Sequence, residues 1–530
     1  MPSDAKEIIF EQAARQKLAD GIKKLSNAIC FTLGPKGRNV GLEKGWGAPD
    51  ITNDGNSIVK DITLECQYEN MGVSMAKEVA AKIKEKTGDG TTTGTLLLNS
   101  LCQEGLKMLA SDASPIGLKR GMEKASKEII AEIEKLSIAV KDSKEILNIA
   151  KASASGNEEV GEFISRALEK VGSSQVVTIE EGKGTETVLD LVEGMQFDRG
   201  YLSPYFCTDS EKMLVVMNNP HILIVDKKIN SIQEILPILQ SVATTGKELL
   251  IIAEDIEGDA LATLVINKIR GSLRATAVKA PGFGDRRKAL LEDLAILTNA
   301  TVVSEEKGLL LKDATIDVLG SCETVTVSKD DTTIVGGIGD EEKLQARIKQ
   351  IENEIKSNSN VYEVEKLEER KAKLSGGVAV IRVGGGSEPE MKQKKQLYED
   401  SLNSTKAALK EGIVPGGGVA LLRARESIKK LKLAGDEELG AKIVYNACET
   451  PIKQLATNAG LDGPVIMEEV LKHKDSFGFN MMTQKVEDLV LAGIVDPTVV
   501  VIATLAHAIS VAGVVLISEA LIGNAPEDDE

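Results

Sequence analysis

The stretch that decides the fold is HILIVDKKINSIQEILPILQSVATTGKELLIIAEDIEGDALATLVINKIRGSLRATAVKAP, residues 221–281. Three apolar runs, HILIVD (221–226), ELLIIAED (248–255) and RATAVKAP (274–281), alternate with two stretches, SIQEILPILQSVATTG (231–246) and DALATLVINKIRGS (259–272), whose apolar residues recur at helical spacing. Runs that are apolar throughout, rather than at every second position, suit strands covered on both faces, and their alternation with helices specifies a parallel sheet. The middle of the chain, about 195–377, is therefore expected to be α/β.

Outward from this centre the texture changes. DEEKLQARIKQIENEIK (340–356) places Leu344, Ile348, Ile351 and Ile355 on one face among charges, which predicts an exposed helix and one half of a helical hairpin. SGGVAVIRVGGGSE (375–388) is a single strand with Gly376 and Gly377 on one side and Gly384, Gly385 and Gly386 on the other, a composition suited to a hinge. Before this middle, Ala14, Leu18, Ile22, Leu25 and Ile29 repeat at helical spacing, and the same texture runs from Met71 to about Leu136. Beyond Glu411 the chain is again helical and alanine-rich, so the two ends are expected to pack together with the α/β middle as an insertion.

At 530 residues the chain has material for roughly three or four domains. Its 64 basic against 81 acidic residues, a formal net charge of −17, argue against nucleic acid as a main partner. Six scattered cysteines (Cys30, Cys66, Cys102, Cys207, Cys322, Cys448) contain no CxxC pair and read as reduced thiols. The N-terminal MPSDAKEIIFEQAARQ lacks the character of a signal or transit peptide, so a cytoplasmic location is expected. Val499–Gly523 is long and apolar enough to span a bilayer, but Thr504, His507, Ser510 and Ser518 interrupt it, and a helix buried in protein is expected instead, with no membrane partner. Asp496-Pro497 ahead of it reads as an N-cap followed by a proline at the first helical position. His221, His473 and His507 are dispersed and read as structural.

Three glycine-containing turns, TLGPKGRN (32–39), TGDGTTTG (87–94) and VPGGGVA (414–420), carry the chemistry. None is a Walker A sequence. Each can still make a nest of backbone N–H groups beside a helix N-terminus, with threonine hydroxyls as further donors and an aspartate available for Mg²⁺. Taken singly each is weak evidence, and TGDGTTTG reads first as a polar turn capping a helix with Thr or Asp as N-cap; Asp54 in TNDGNS is ordinary turn composition, and Asp400 in QLYEDSLNSTKAALKEG reads as a solvated helix face.

In this order and at these separations the turns, with GAPDITNDG, FDRGYLSPYF, LLIIAEDIEGDALATLVINKIRG, VKAPGFGDRRKALLEDLAILT and EGIVPGGGVALLRA, resemble the group I (bacterial-type, GroEL-like) chaperonin family from about Phe10 to Ala520. The resemblance implies a multidomain α and α/β chaperonin fold. Its parts would be a helical equatorial ATP-binding domain (1–135 and 411–530), a small α/β intermediate hinge domain (136–192 and 378–410) and an α/β apical domain (193–377). It implies two stacked sevenfold rings, an ATPase coupled to protein folding, and non-native polypeptides and a GroES-like co-chaperonin as partners. By the same resemblance Thr32, Leu33, Gly34 and Pro35 lie beside the phosphates, Asp89 ligates Mg²⁺, and Gly90, Thr91, Thr92 and Thr93 surround the β- and γ-phosphates. Gly417, Asn480, Met481, Met482 and Asp496 would border the ribose and base; Asp54 and Asp400 would position the attacking water; a K⁺ ion is expected near Thr32, Asn53 and Thr92. Tyr201, Tyr205, Phe206, Leu236, Leu239, Leu261, Val265 and Ile266 would line an exposed apolar groove for polypeptide and lid, although their helical spacing alone would place them in a core. Arg199 and Glu388 resemble an inter-subunit ion pair.

The chain departs from the family pattern in a few places. The tail IGNAPEDDE has no Gly-Gly-Met repeats; Asn53 replaces a lysine, Gly94 an alanine, and Met481-Met482 small residues; Lys410 stands at an acidic position, and 384–386 is richer in glycine than usual. These departures keep open a paralogue that mainly holds polypeptides, with weak or altered ATP cycling.

Overall fold

The computed structural model describes residues 5–43, 49–140, 142–154, 156–172, 176–182, 184–210, 212–358, 360–375 and 377–525. Gly376, the first two residues of GAPDITNDG and the last five of the tail lie outside them. The chain forms two compact units, Met1–Ser165 with Lys392–Glu530, and Arg166–Met391.

In the second unit the central stretch folds as expected. Strands His221–Ile229, Leu249–Ile256 and Ala275–Lys279 run parallel, in register Leu223↔Ile251 and Ala277↔Ile251, with helices Leu236–Thr245 and Gly258–Ile269 as the crossovers. Ile222–Val225 and Leu249–Ala253 are wholly buried, which is why these runs are apolar at every position rather than at alternate ones. The sheet continues through antiparallel strands Gly320–Val327, Thr332–Gly337 and Gly194–Phe197. Helix Glu341–Ser357 pairs with helix Val361–Ser375 as a hairpin; Leu344, Ile348 and Ile351 are buried in the unit's core and Ile355 packs against it. Asp293, fully buried, fastens both hairpin helices to helix Gly284–Thr298: Arg347 Nε donates to Oδ1 at 2.7 Å and Arg370 Nε to Oδ2 at 2.5 Å. Val378–Val383, the glycine-flanked strand, is central in a three-stranded sheet between Val177–Glu181 and Val188–Val192.

The first unit is helical, and its core draws on both ends of the chain. Leu18, Ile22 and Leu25 from helix Glu11–Ile29 share one cluster with Leu97 and Leu101, with Ile129, and with Leu505, Ala512 and Leu516 from helix Thr498–Ile517. That last helix is the membrane-length segment; most of it is buried against helices Thr91–Leu109 and Pro115–Leu136. Strand Lys6–Phe10 pairs antiparallel with Ala520–Asn524, tying the ends together. The N-cap expectation at Asp496 is corrected: helix Thr498–Ile517 is preceded by Pro497 with no side-chain cap, and Asp496 lies in the strand Val495–Pro497, paired with Val414. A long-range backbone pairing overrides the local Asp-Pro pattern and leaves the carboxylate uncommitted to capping.

Candidate nucleotide site

The TGDGTTTG turn joins two helices of the first unit. Gln67–Thr87 ends at Gly88, which is left-handed (φ 75°), and Thr91–Leu109 begins after Gly90, also left-handed (φ 92°). A Cβ at Gly88 would lie 2.5 Å from Asn403 Cβ, and one at Gly90 2.8 Å from both Thr504 Cγ2 and Val500 Cγ1, so conformation and space both demand glycine. No side chain caps the second helix. The reading of TGDGTTTG as a capped polar turn is thus not what the chain builds: the N–H groups of this first turn are left for another acceptor, at the positive end of a 19-residue helix. Thr91 is buried, Thr92 and Thr93 half-buried.

Four carboxylates are electrostatically coupled here. Asp89 Oδ1 accepts from Gly90 N at 2.6 Å. Protein hems it in on most sides although solvent still reaches it; the desolvation raises its pKa, Asp54 pushes the same way, and the Gly90 N–H and Lys84 oppose. Asp54 caps helix Gly55–Asp61, accepting from Asn56 N (3.1 Å), Ser57 N (3.0 Å) and Ser57 Oγ (2.6 Å). Its turn lies against the threonines, since a Cβ on Gly55 would be 2.1 Å from Thr92 Oγ1. Asp400, on helix Glu388–Glu411, is one-fifth exposed rather than on a solvated face, 3.1 Å from Lys84 Nζ and accepting from Gln396 Nε2 at 2.7 Å. Burial lifts its pKa to about 7; Lys84 opposes, and Asp54 and Asp89 add to the rise. Asp496 is lifted to about 7 by burial and by Asp89. Among the described residues no three His, Cys, Asp or Glu side chains converge as a self-sufficient metal site. A Mg²⁺ ion at Asp89 would therefore draw its other oxygens from phosphate and water, the coordination it ordinarily prefers.

The remaining expected residues lie on other elements of the same unit. The turn Cys30–Thr32 packs on helix Thr91–Leu109, with Leu33 extended and Gly34 left-handed, before Pro35. Asn458 Nδ2 holds the turn by donating to the carbonyls of Cys30 (2.8 Å) and Leu33 (2.9 Å). Asn53 is exposed at the end of strand Asp50–Thr52. Gly417 (φ 64°) follows strand Ile413–Pro415, the partner of the Asp496 strand. Met481 is buried with Val419, Ile452 and Leu489, whereas Met482 is exposed. Asn480 is nearly buried and its amide is spoken for, accepting from Met482 N at 2.8 Å and donating to Glu487 Oε1 at 2.6 Å.

In the second unit the expected groove residues separate by depth. Tyr205 and Ile266 are exposed; Tyr201, Leu236, Leu261 and Val265 are half-buried. Phe206 is fully buried and Leu239 is 7% exposed, so these two lie in the core beneath the stripe and do not line it; the helical spacing that pointed to burial describes them correctly. The Arg199 guanidinium lies over the Phe283 ring, 5.3 Å from its centroid, and Glu388 opens helix Glu388–Glu411.

Sequence reading missed Lys84, Gln396 and Asn458, single polar residues within helical stretches that carry no local pattern. It also missed Ile269, exposed on helix Gly258–Ile269 and one turn beyond Ile266 and Val265; helical spacing would have found it.

Residues 25–526 match the TCP-1/cpn60 chaperonin family. The chain is 63% identical over 525 residues to Chaperonin GroEL 3 of Protochlamydia amoebophila (strain UWE25), covering 99% of this chain and 98% of that protein. With its helical unit built from both ends and its α/β unit inserted between, the chain belongs to the TCP-1/cpn60 chaperonin family, as a group I, GroEL-like member.

Proposed function

We propose that this chaperonin, a chaperone of protein folding, is driven by ATP hydrolysis at the site around Asp89. The observation that carries the reading is the meeting of the uncapped N-terminus of helix Thr91–Leu109 with Asp54, Asp89 and Asp400: fixed donors for phosphate beside carboxylates that repel one another until cations arrive. The N–H groups after Gly90 and the hydroxyls of Thr91, Thr92 and Thr93 would bind phosphate oxygens, with the Thr32–Pro35 turn, whose Cys30–Thr32 start packs on the same helix, supplying further contacts. Asp89 would hold Mg²⁺ and Thr32, Asn53 and Thr92 a K⁺ ion; the divalent cation supplies charge neutralisation at the phosphates when bound. Gly417, Met482 and Asp496 would border the nucleoside, with Asn480 and the buried Met481 shaping that turn. Asp400, with a pKa near neutrality, accepts the proton of a water oriented jointly with Asp54, after release from Lys84 and Gln396.

The rest of the reading is a cycle: equatorial, intermediate and apical parts in stacked heptameric rings, in the cytoplasm. Non-native polypeptide is captured on the exposed stripe that includes Tyr205 and Ile266 and is enclosed under a GroES-like lid, while Arg199 and Glu388 of adjacent copies pair and part. Steady-state ATPase with and without a lid protein tests it. Wild type should hydrolyse ATP far faster than Asp400→Ala; equal rates overturn the cycling reading, and prevention of client aggregation at those equal rates would establish a passive holder instead.

A further inference from the structure

The second unit contains a pocket of about 510 Å³ remote in sequence from the glycine turns of the nucleotide site and distinct from the Tyr205–Ile266 stripe. It opens between helix Gly284–Thr298 and the second hairpin helix, Val361–Ser375. Its apolar wall comes from Met195, Phe197, Pro281, Ala289, Leu290 and Leu367. The volume is within the roughly 300–1,000 Å³ typical of small-molecule sites.

The charges around this wall define what would enter. Arg199, Arg286, Lys366, Arg370 and Lys373 line the pocket against Asp198, Asp285, Glu363 and Glu369, an excess of one positive charge (5 − 4) on a chain whose net charge is −17. Much of this is internally spent: Arg286 pairs with Glu363, and Lys366 and Lys373 both pair with Glu369. Arg370 shares buried Asp293 with Arg347, a triad that itself carries one surplus positive charge. Within one chain Arg199 rests on the Phe283 ring and has no ion-pair partner among the described residues; the pairing with Glu388 of an adjacent copy proposed above competes with a ligand for it. The loop Pro281-Gly282-Phe283 then leads into helix Gly284–Thr298, which has no side-chain cap, so its positive end is also at the pocket mouth. Asp198 and Asp285 keep the surplus small, which disfavours a doubly charged group.

We infer that this pocket binds a small amphipathic monoanion, an aliphatic body with one carboxylate. The body lies on the Phe197, Leu290 and Leu367 wall, and the carboxylate meets the helix terminus and Arg199. The probe is decanoate, titrated calorimetrically into the full-length protein, with decyltrimethylammonium, decanol and decyl phosphate as comparators. Decanoate should bind saturably, about tenfold more tightly than the cation, as a desolvated charge-assisted contact requires. Filling the pocket with Ala289→Trp should abolish binding while Ile266→Ser, on the exposed stripe, leaves it intact; circular dichroism and assembly state confirm that both variants fold. Because neither nucleotide nor client is present, failure here leaves the ATP reading standing. Binding that survives Ala289→Trp, that is lost with Ile266→Ser, or that is as tight for the cation, the alcohol or the dianion overturns the inference, as does absence of saturable binding.

Discussion

Replacing Asp400 by asparagine tests the electrostatics of the site without nucleotide. In the folded chain Asp400 titrates near 7, against an ordinary 3.8, because it is four-fifths buried and faces Asp54 and Asp89. A raised folded-state pKa means that the folded state holds a proton the unfolded chain has released. The stabilisation is complete below pH 3.8 and falls as pH rises, until it is lost through about pH 7. The slope is about 1.4 kcal/mol per pH unit, so between pH 5.5 and pH 8 wild type loses about 2 kcal/mol from this group alone. Asparagine cannot lose a proton, and Lys84 faces a neutral partner in Asp400→Asn at every pH, as it does in wild type at low pH. The advantage of the variant over wild type should therefore grow by about 2 kcal/mol across that interval, while Asp496 contributes alike to both proteins. Because two units need not unfold together, local opening measured by amide exchange along helix Glu388–Glu411 is a better readout than a melting temperature. Wild-type and variant profiles that run parallel from pH 5.5 to 8 would refute the reasoning.

Other outcomes follow from single contacts. Gly94→Ala should bring no net stabilisation, because the helix-propensity gain of about 1 kcal/mol meets a Cβ only 2.2 Å from Ile83 Cδ1, forcing a side-chain shift of comparable cost; a clear rise in thermal stability would contradict this. Asn458→Ala removes both donors to the Cys30–Leu33 turn and should weaken binding of a fluorescent ATP analogue by about tenfold while sparing the helix content seen by circular dichroism. Asp293→Ala leaves the half-buried guanidinium groups of Arg347 and Arg370 without their carboxylate and should cost about 3 kcal/mol in the second unit, read as rapid proteolysis within 341–375.

The α/β centre was legible because each level agreed: continuous apolar runs, helical spacing between them and glycines at the turns all describe a buried parallel sheet. The nucleotide turns were legible as a set, since each alone is also good turn chemistry. What escaped was non-local. Asp496 looks like a cap until Val414 claims its backbone, and Lys84 and Asn458 gain meaning only when Asp400 and the Cys30–Leu33 turn, hundreds of residues or more away, come beside them. Phe206 and Leu239 share the spacing of the exposed stripe, yet the turn of chain around each puts it underneath.

The joining of Lys6–Phe10 to Ala520–Asn524 also sets a timetable. Leu97 and Leu101 on helix Thr91–Leu109 and Ile129 on helix Pro115–Leu136 are not fully covered until Leu505, Ala512 and Leu516 have left the ribosome, on the order of half a minute after those two helices emerge. The inserted unit, with its short-range strand–helix repeats, can be finished long before that. A nascent copy therefore trails an uncovered apolar helix set throughout synthesis, making an unfinished chaperonin itself a candidate client of the finished ones around it.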